Sequence, residues 1–236
     1  MNALVIIPTY NERENLPEIV PQVLRHDGVR VLVVDDGSPD GTGEVADRLA
    51  REHAGRLDVL HRTGRRGLGR SYVDGFRRAL AMGVDVAVQM DADLSHDPVY
   101  LPAVLDGTAR FDLAIGSRYV RGISVVNWPL KRLVLSTMAN RYVRAVTALP
   151  IRDCTAGFRA WRRGALERLP LDRIVSDGYS FQVETLYEAW RAGCTIGEVP
   201  IVFVERREGE SKLSKGVLLE SLIMPWRLRL RGLSRK

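Results

Sequence analysis

The stretch from Val86 to Pro98, VAVQMDADLSHDP, puts two carboxylates two residues apart at the end of a β-branched run. Val84, Val86 and Val88 lead into Asp91-Ala92-Asp93, so the acids stand where a buried strand meets solvent. Side chains two apart on an extended chain point the same way. Asp91 and Asp93 are therefore expected to converge on one cation, with the small Ala92 between them leaving room for a ligand. Oxygen-only ligands of this sort suit Mg2+ or Mn2+ held partly by the phosphates of a substrate. A bare DxD triplet is also what two solvated strand-end aspartates look like, so the surrounding chain has to decide.

The elements that must present these acids follow from the patterning. Asn2 to Pro8 is a buried first strand closed by a proline, which cannot continue a ladder. Leu16, Ile19, Val20, Val23 and Leu24 give a helical spacing within Glu14 to Leu24. Arg30 to Asp36 is a second strand, followed by the turn-rich Gly37-Ser38-Pro39-Asp40-Gly41, after which Thr42 is expected to cap a helix reaching His53. A third strand (Leu57 to His61), a third helix (Gly67 to Met82), a fourth strand (Val84 to Asp91) and a fifth (Asp112 to Ser117) come next. Strands apolar throughout that alternate with helices predict an α/β fold: a Rossmann-like, mostly parallel central sheet with helices on both faces. Ligands collect at the carboxyl ends of such strands. Here three of those ends carry Pro8-Thr9-Tyr10-Asn11-Glu12, Asp35-Asp36 and Asp91-Ala92-Asp93. The segment Gly41-Thr42-Gly43-Glu44-Val45-Ala46 fits a dinucleotide fingerprint, but Asp35, Asp36 and Asp40 would crowd a pyrophosphate there.

Past Ser117 the pattern changes to a basic amphipathic helix from Leu130 to Ala148, which reads either as a core helix with a solvated face or as an interfacial one. Arg159 to Leu169 and Ser180 to Ala192 read as a strand followed by helices, and Thr195 to Glu205 as a further strand. Residues 1–215 are expected to form one domain, with 216–236 a C-terminal amphipathic, basic extension that either anchors to a membrane surface or packs on its own domain. The net charge of +6 is concentrated. Leu113 to Arg152 holds seven basic residues and no acid, and Ser221 to the end holds five more and no acid. No uncharged run exceeds the eleven residues of Met1 to Asn11, against roughly 20 needed to span a bilayer. With no basic leader and with Cys154 and Cys194 read as buried free thiols, a cytoplasmic protein is expected. The basic stretches contain few interleaved aromatics, so nucleic acid is not an expected partner.

Six motifs, in order, resemble the dolichyl-phosphate (polyprenyl-phosphate) mannose synthases, inverting family-2 glycosyltransferases with a GT-A fold. They are the Pro8–Glu12 and Asp35–Thr42 stretches, Asp91-Ala92-Asp93-Leu94-Ser95-His96, Gly116-Ser117-Arg118-Tyr119, Trp128-Pro129-Leu130-Lys131-Arg132, and Phe203 to Lys212. The resemblance implies that Pro8, Tyr10, Glu12, Asp35 and Asp36 hold the base and ribose of a sugar nucleotide. It implies Asp91 and Asp93 on a divalent ion, with Ser95 an added ligand directly or through water, and Arg118, Arg132, Arg206 and Lys212 on phosphates. Guanidinium groups suit that work, because a lipid phosphate beside a diphosphate needs fixed positive charge.

The implied reaction moves mannose from GDP-mannose to a polyprenyl phosphate. A phosphate monoester, with a second pKa of about 6, is already an anionic nucleophile at neutral pH and needs no general base. Glu184 is the nearest candidate for a hidden base, and a structural role is favoured for it. The expected setting is peripheral, on the cytoplasmic face of a membrane, docked on anionic lipid or helped by a membrane-anchoring subunit. Two rivals stay open: transfer of another sugar, such as glucose from UDP-glucose, to the same lipid, and a non-catalytic nucleotide-binding recruitment module.

Overall fold

The computed structural model describes residues 1–204 and 215–233. Strand β1 (Ala3–Thr9) runs into helix α1 (Leu16–Leu24), then β2 (Val29–Asp35), α2 (Thr42–Glu52), β3 (Leu57–His61), α3 (Leu68–Ala81) and β4 (Val86–Gln89). Helix α4 (Leu101–Gly107) leads to β5 (Leu113–Ser117), a short β6 (Val125–Val126) and the long α5 (Leu130–Thr147). There follow β7 (Arg159–Arg162), α6 (Arg163–Arg168), α7 (Gly178–Arg191), β8 (Ile196–Pro200), β9 (Phe203–Val204) and α8 (Lys215–Leu233). Among the described residues the strands form one sheet in the order β3-β2-β1-β4-β7-β5-β8 and a small β6-β9 pair. All neighbours in the large sheet are parallel except β7, which lies antiparallel between β4 and β5.

Continuous apolar strands arise because both faces are covered. Leu4 and Ile6 of β1 enter one core with Tyr72, Phe76, Trp161 and Phe181, while Ala3, Val5 and Ile7 enter the other with Ile19, Val33 and Leu101. Alternate side chains point to opposite faces, so a strand buried on both must be apolar at every position. This is the mostly parallel, doubly covered sheet expected from the sequence.

The order of strands reverses direction at β1 and β4, and the proline of β1 helps to open that point. Ile6 C=O accepts from Met90 N–H at 3.2 Å, so Ile6 faces β4, and Pro8, two residues on, faces the same way. Pairing with β4 stops at Ile6, whereas pairing with β2 continues through Pro8 to Thr9. The missing N–H therefore falls where β4 has already left. A crevice at such a switch point is where open α/β sheets bind ligands.

Among the boundaries that differ from expectation, three bear on the site or on the sheet. The fourth strand gives out at Gln89, so Asp91 lies beyond it. Gly41, in the left-handed region at φ 91, occupies the cap position of α2, and Thr42 is the first helical residue. The stretch expected as one strand from Thr195 to Glu205 breaks into β8, which pairs with β5, and β9, which pairs with β6. Helix α8 packs on its own domain: Met224 and Leu228 join the core beside α5 and α7, Tyr142 donates to Leu222 C=O, and Arg229 donates to Val146 C=O at 2.6 Å. Its other face leaves Leu222, Trp226 and Leu230 exposed. Among the described residues no helix is long and apolar enough to cross a membrane.

Candidate active site

Beyond Gln89 the chain bends instead of staying extended, and Leu94 takes a left-handed φ of 60. Two-residue alternation on a strand therefore does not orient Asp91 and Asp93. Each is held by its own partners. Tyr72 of α3 donates its phenol to Asp91 Oδ1 at 3.0 Å, Asp91 N–H donates to His96 Nδ1 at 3.1 Å, and the Ser95 N–H and hydroxyl both donate to Asp93 Oδ1. Burial first, and then the negative charges of Asp91 and Asp93, raise the Tyr72 phenol well above its ordinary value. It stays a donor, and it feels both carboxylates. Ser95 itself is buried, with its hydroxyl committed to Asp93. Ala92 is 3% exposed and packs in the core, so its small size answers a packing need and does not make ligand space.

Gly157 borders Asp91 closely. A Cβ built there would stand 3.1 Å from His96 Cε1 and 3.4 Å from Asp91 Oδ2, so only a residue without a side chain leaves the flank of that carboxylate open. Among the described residues no group of three or more acidic, histidine or cysteine side chains makes a full cage. Two hard oxygen donors beside an open cradle fit a divalent cation whose remaining positions go to phosphate oxygens and water. Gly157→Ala is expected to lower the apparent affinity for the activating ion about tenfold, the effect usual for disturbing a metal's surroundings. Titration of activity with Mg2+ and with Mn2+ checks it.

The residues assigned to base and ribose sit at the neighbouring strand ends and are tightly tied. Asp35 is 4% exposed and accepts from the Thr9 hydroxyl at 3.2 Å and the Ser38 hydroxyl at 2.6 Å. Asp36 accepts from Gly67 N–H at 2.7 Å and pairs with Arg62, which also binds Asp74 at 2.7 Å. The main chains of Asn11 and Glu12 donate to Ser38 and Thr42, and the Glu12 carboxylate accepts from Asn15 at 2.7 Å. Pro8 is buried at the end of β1. Arg66 lies over the Tyr10 ring, 4.7 Å from its centroid, and donates to its hydroxyl and to Gly37 C=O. Arg62 and Arg66 were not among the residues singled out from the sequence. A Cβ on Gly43 would stand 3.3 Å from Asp35 Oδ2, so a carboxylate occupies the place where the glycine fingerprint would need a pyrophosphate.

At the other end of the crevice, Arg118 is largely spent on a partner the sequence did not reveal. Its Nε and Nη2 donate to the two oxygens of Asp153 at 2.8 and 2.6 Å, and Nη2 also reaches Thr155 at 2.8 Å. Burial opposes this charge, but Asp153 outweighs it and the pKa is raised above its ordinary value. Arg118, expected on a phosphate, thus has Asp153 as its first partner among the described residues. The guanidinium sits among Tyr119, Trp128 and Phe203, with Cζ 5.4 to 5.5 Å from each ring centroid, and Arg132 covers Trp128 at 4.3 Å. The structure brings Arg118 and Arg132 together on one indole.

Buried polar contacts fix the loop that carries Asp153. Arg159, fully buried, donates to the carbonyls of Cys154, Ala156 and Gln182, and Asn140 accepts from Cys154 N–H at 2.7 Å. An aromatic stack joins the two ends of the site: His96 lies on Phe158 at 5.3 Å and against Phe203 at 5.6 Å, and Phe203 meets Trp128 at 5.4 Å. Arg206 and Lys212 lie outside the described residues. Glu184 is 1% exposed, accepts from Val175 N–H, Ser176 N–H and the Ser176 hydroxyl, and pairs with Arg231 at 3.2 Å. It braces a turn.

A sheet of this order with an acidic loop at its switch point is the GT-A architecture of glycosyltransferases. Solved structures of glucosyl-3-phosphoglycerate synthase from Mycobacterium tuberculosis share it. One in complex with phosphoglyceric acid has a TM-score of 0.69 at 19% identity, over 99% of this chain and 79% of that one. Another, with Mn2+, uridine diphosphate and glucosyl-3-phosphoglycerate, has a TM-score of 0.68 at 19% identity and the same coverage. The chain belongs to glycosyl transferase family 2, whose model matches residues 4–170. It is 50% identical to the polyprenol monophosphomannose synthase of Mycolicibacterium smegmatis, over 96% of this chain and 87% of that one. It is 48% identical to the undecaprenyl-phosphate mannosyltransferase of Micrococcus luteus, over 94% and 92%.

Proposed function

We propose that this glycosyltransferase moves mannose from GDP-mannose to a polyprenyl phosphate, with inversion from α to β, at a membrane surface. The observation that carries the reading is the joining of an acidic loop and two arginines in one crevice, supported by half-identity to mannosyltransferases over nearly the whole chain. Asp91 and Asp93 would hold a divalent ion, Mg2+ or Mn2+, which when bound neutralises charge on the leaving diphosphate. The acceptor phosphate oxygen attacks the anomeric carbon as the bond to GDP breaks, and the electron pair departs with GDP. Tyr72 and Ser95 keep the two carboxylates aimed. Tyr10, Glu12, Asp35 and Asp36 shape the nucleotide end, where we place Arg66 as well. Arg132 gathers the lipid phosphate, Arg118 is its positioning neighbour, and Arg206 and Lys212 serve the phosphates from the segment after β9. The acceptor's own charge makes a general base unnecessary, and Glu184 is engaged elsewhere.

The lipid would approach over α5 and α8. Leu130, Val134, Leu135 and Met138 of α5 are exposed, as are Leu222, Trp226 and Leu230 of α8, among Lys131, Arg141, Arg144 and Arg227. Each Lys or Arg near an anionic surface contributes on the order of 1 kcal/mol. The protein is expected to sediment with anionic vesicles at low salt and to be released by salt; indifference to such vesicles at low salt would remove the docking idea. Incubation with radiolabelled GDP-mannose, Mg2+ or Mn2+ and a polyprenyl phosphate is expected to give an organic-extractable mannolipid. Labelled UDP-glucose serving equally well would overturn the donor assignment.

A further inference from the structure

Among the described residues one buried side-chain polar atom has no hydrogen-bond partner, the indole Nε1 of Trp128. An indole N–H can only donate, and leaving it buried and unpaired destabilises the fold. The ring stands beneath Arg132 at 4.3 Å, near Arg118 at 5.5 Å and edge-on to Phe203 at 5.4 Å. A donor among two guanidinium groups is matched by an acceptor, and best by an anionic one. The aromatic stack sets Trp128 at the end away from Asp91, and Leu130, two residues further on, is 73% exposed. The neighbouring anion is therefore the one that arrives with a lipid.

We infer that Trp128 is a specificity-determining residue whose indole N–H donates to a phosphate oxygen of the polyprenyl phosphate, alongside Arg132. This rests on the reading of the acceptor given above. The orphaned donor is satisfied only when acceptor is bound, so the enzyme holds phosphorylated polyprenol in preference to the free alcohol. The ring also sets Arg118 and Arg132 side by side, which a smaller residue would not do.

The test uses protein labelled with 15N-tryptophan, with Trp128→Phe identifying the signal among the four tryptophans. The Trp128 indole proton is expected to move downfield on addition of polyprenyl phosphate, and to stay in place with polyprenol or with GDP and Mg2+. Trp128→Phe keeps an aromatic ring and loses the donor. Its KM for polyprenyl phosphate should rise about tenfold, the scale of one hydrogen bond to a charged group, with the KM for GDP-mannose unchanged. No shift with polyprenyl phosphate, an equal shift with GDP and Mg2+ alone, or an unaltered lipid KM in the variant would overturn the inference. Should the variant fold poorly, the wild-type signal, identified by elimination using Trp161→Phe, Trp190→Phe and Trp226→Phe, decides it. Binding is read without turnover, so a wild-type protein whose indole responds but which makes no mannolipid would defeat the mannosyl reading and leave this contact standing.

Discussion

Asp93→Ala is expected to reduce mannosyl transfer by at least about a thousandfold, because it removes one of the two carboxylates of the proposed cation site and would leave the departing diphosphate without its counter-charge. Asp93 also anchors Ser95 through two hydrogen bonds to Oδ1, so its loss slackens the loop that Asp91 shares. The effect should fall on kcat as well as on donor binding, and excess Mn2+ should not restore it. Chelation of the wild-type protein with EDTA should give a comparable loss, reversed on adding the ion back. Single-turnover measurement of mannolipid formation checks both, and an Asp93→Ala enzyme within tenfold of wild type would remove the acidic loop from the chemistry.

The largest expected effect on stability is at Asp153. Asp153→Asn leaves the Arg118 guanidinium, 7% exposed, with its charge buried and uncompensated. Breaking one partner of a buried ion pair usually costs about 3–5 kcal/mol, much of it the stranded charge and not the lost attraction. Asp153→Asn should therefore shift the urea midpoint sharply downward, and adding Arg118→Met should recover part of the loss. A double variant no more stable than Asp153→Asn alone would mean that Arg118 is not the charge being stranded. Within the pair, Asp153 overrides the penalty of burial and holds the Arg118 pKa above its ordinary value.

The sheet was legible because each parallel strand is an apolar run buried on both faces, as in Leu4 to Ile7 and Val31 to Val34. The acidic strand ends were legible for the same reason, since a strand that stops being apolar has reached solvent. Three things were not. Asp153 with Arg118, and Arg62 with Asp36, are partners 35 and 26 residues apart, and no local spacing marks a pair that only the fold brings together. Tyr72 sits on the buried face of α3 with Phe76 and reads as core, because its one polar atom is its only sign of another task. The bend after Gln89 was missed because Met90 and Ala92 continue an apolar alternation that the backbone does not follow.

Strand β7 has a consequence for how the molecule is made. It supplies the rungs between β4 and β5 from Arg159 to Arg162, roughly 45 to 75 residues later in the chain than the strands it joins. Until the ribosome has released it, β4 and β5 each present an unpaired edge, a template for misassociation between nascent chains. The loop bearing Asp153 directly precedes β7. Arg118 thus acquires its counter-ion from the segment that leads into the strand joining β4 to β5, and a chain halted before Arg159 holds the acidic loop and Arg118 on strands not yet joined.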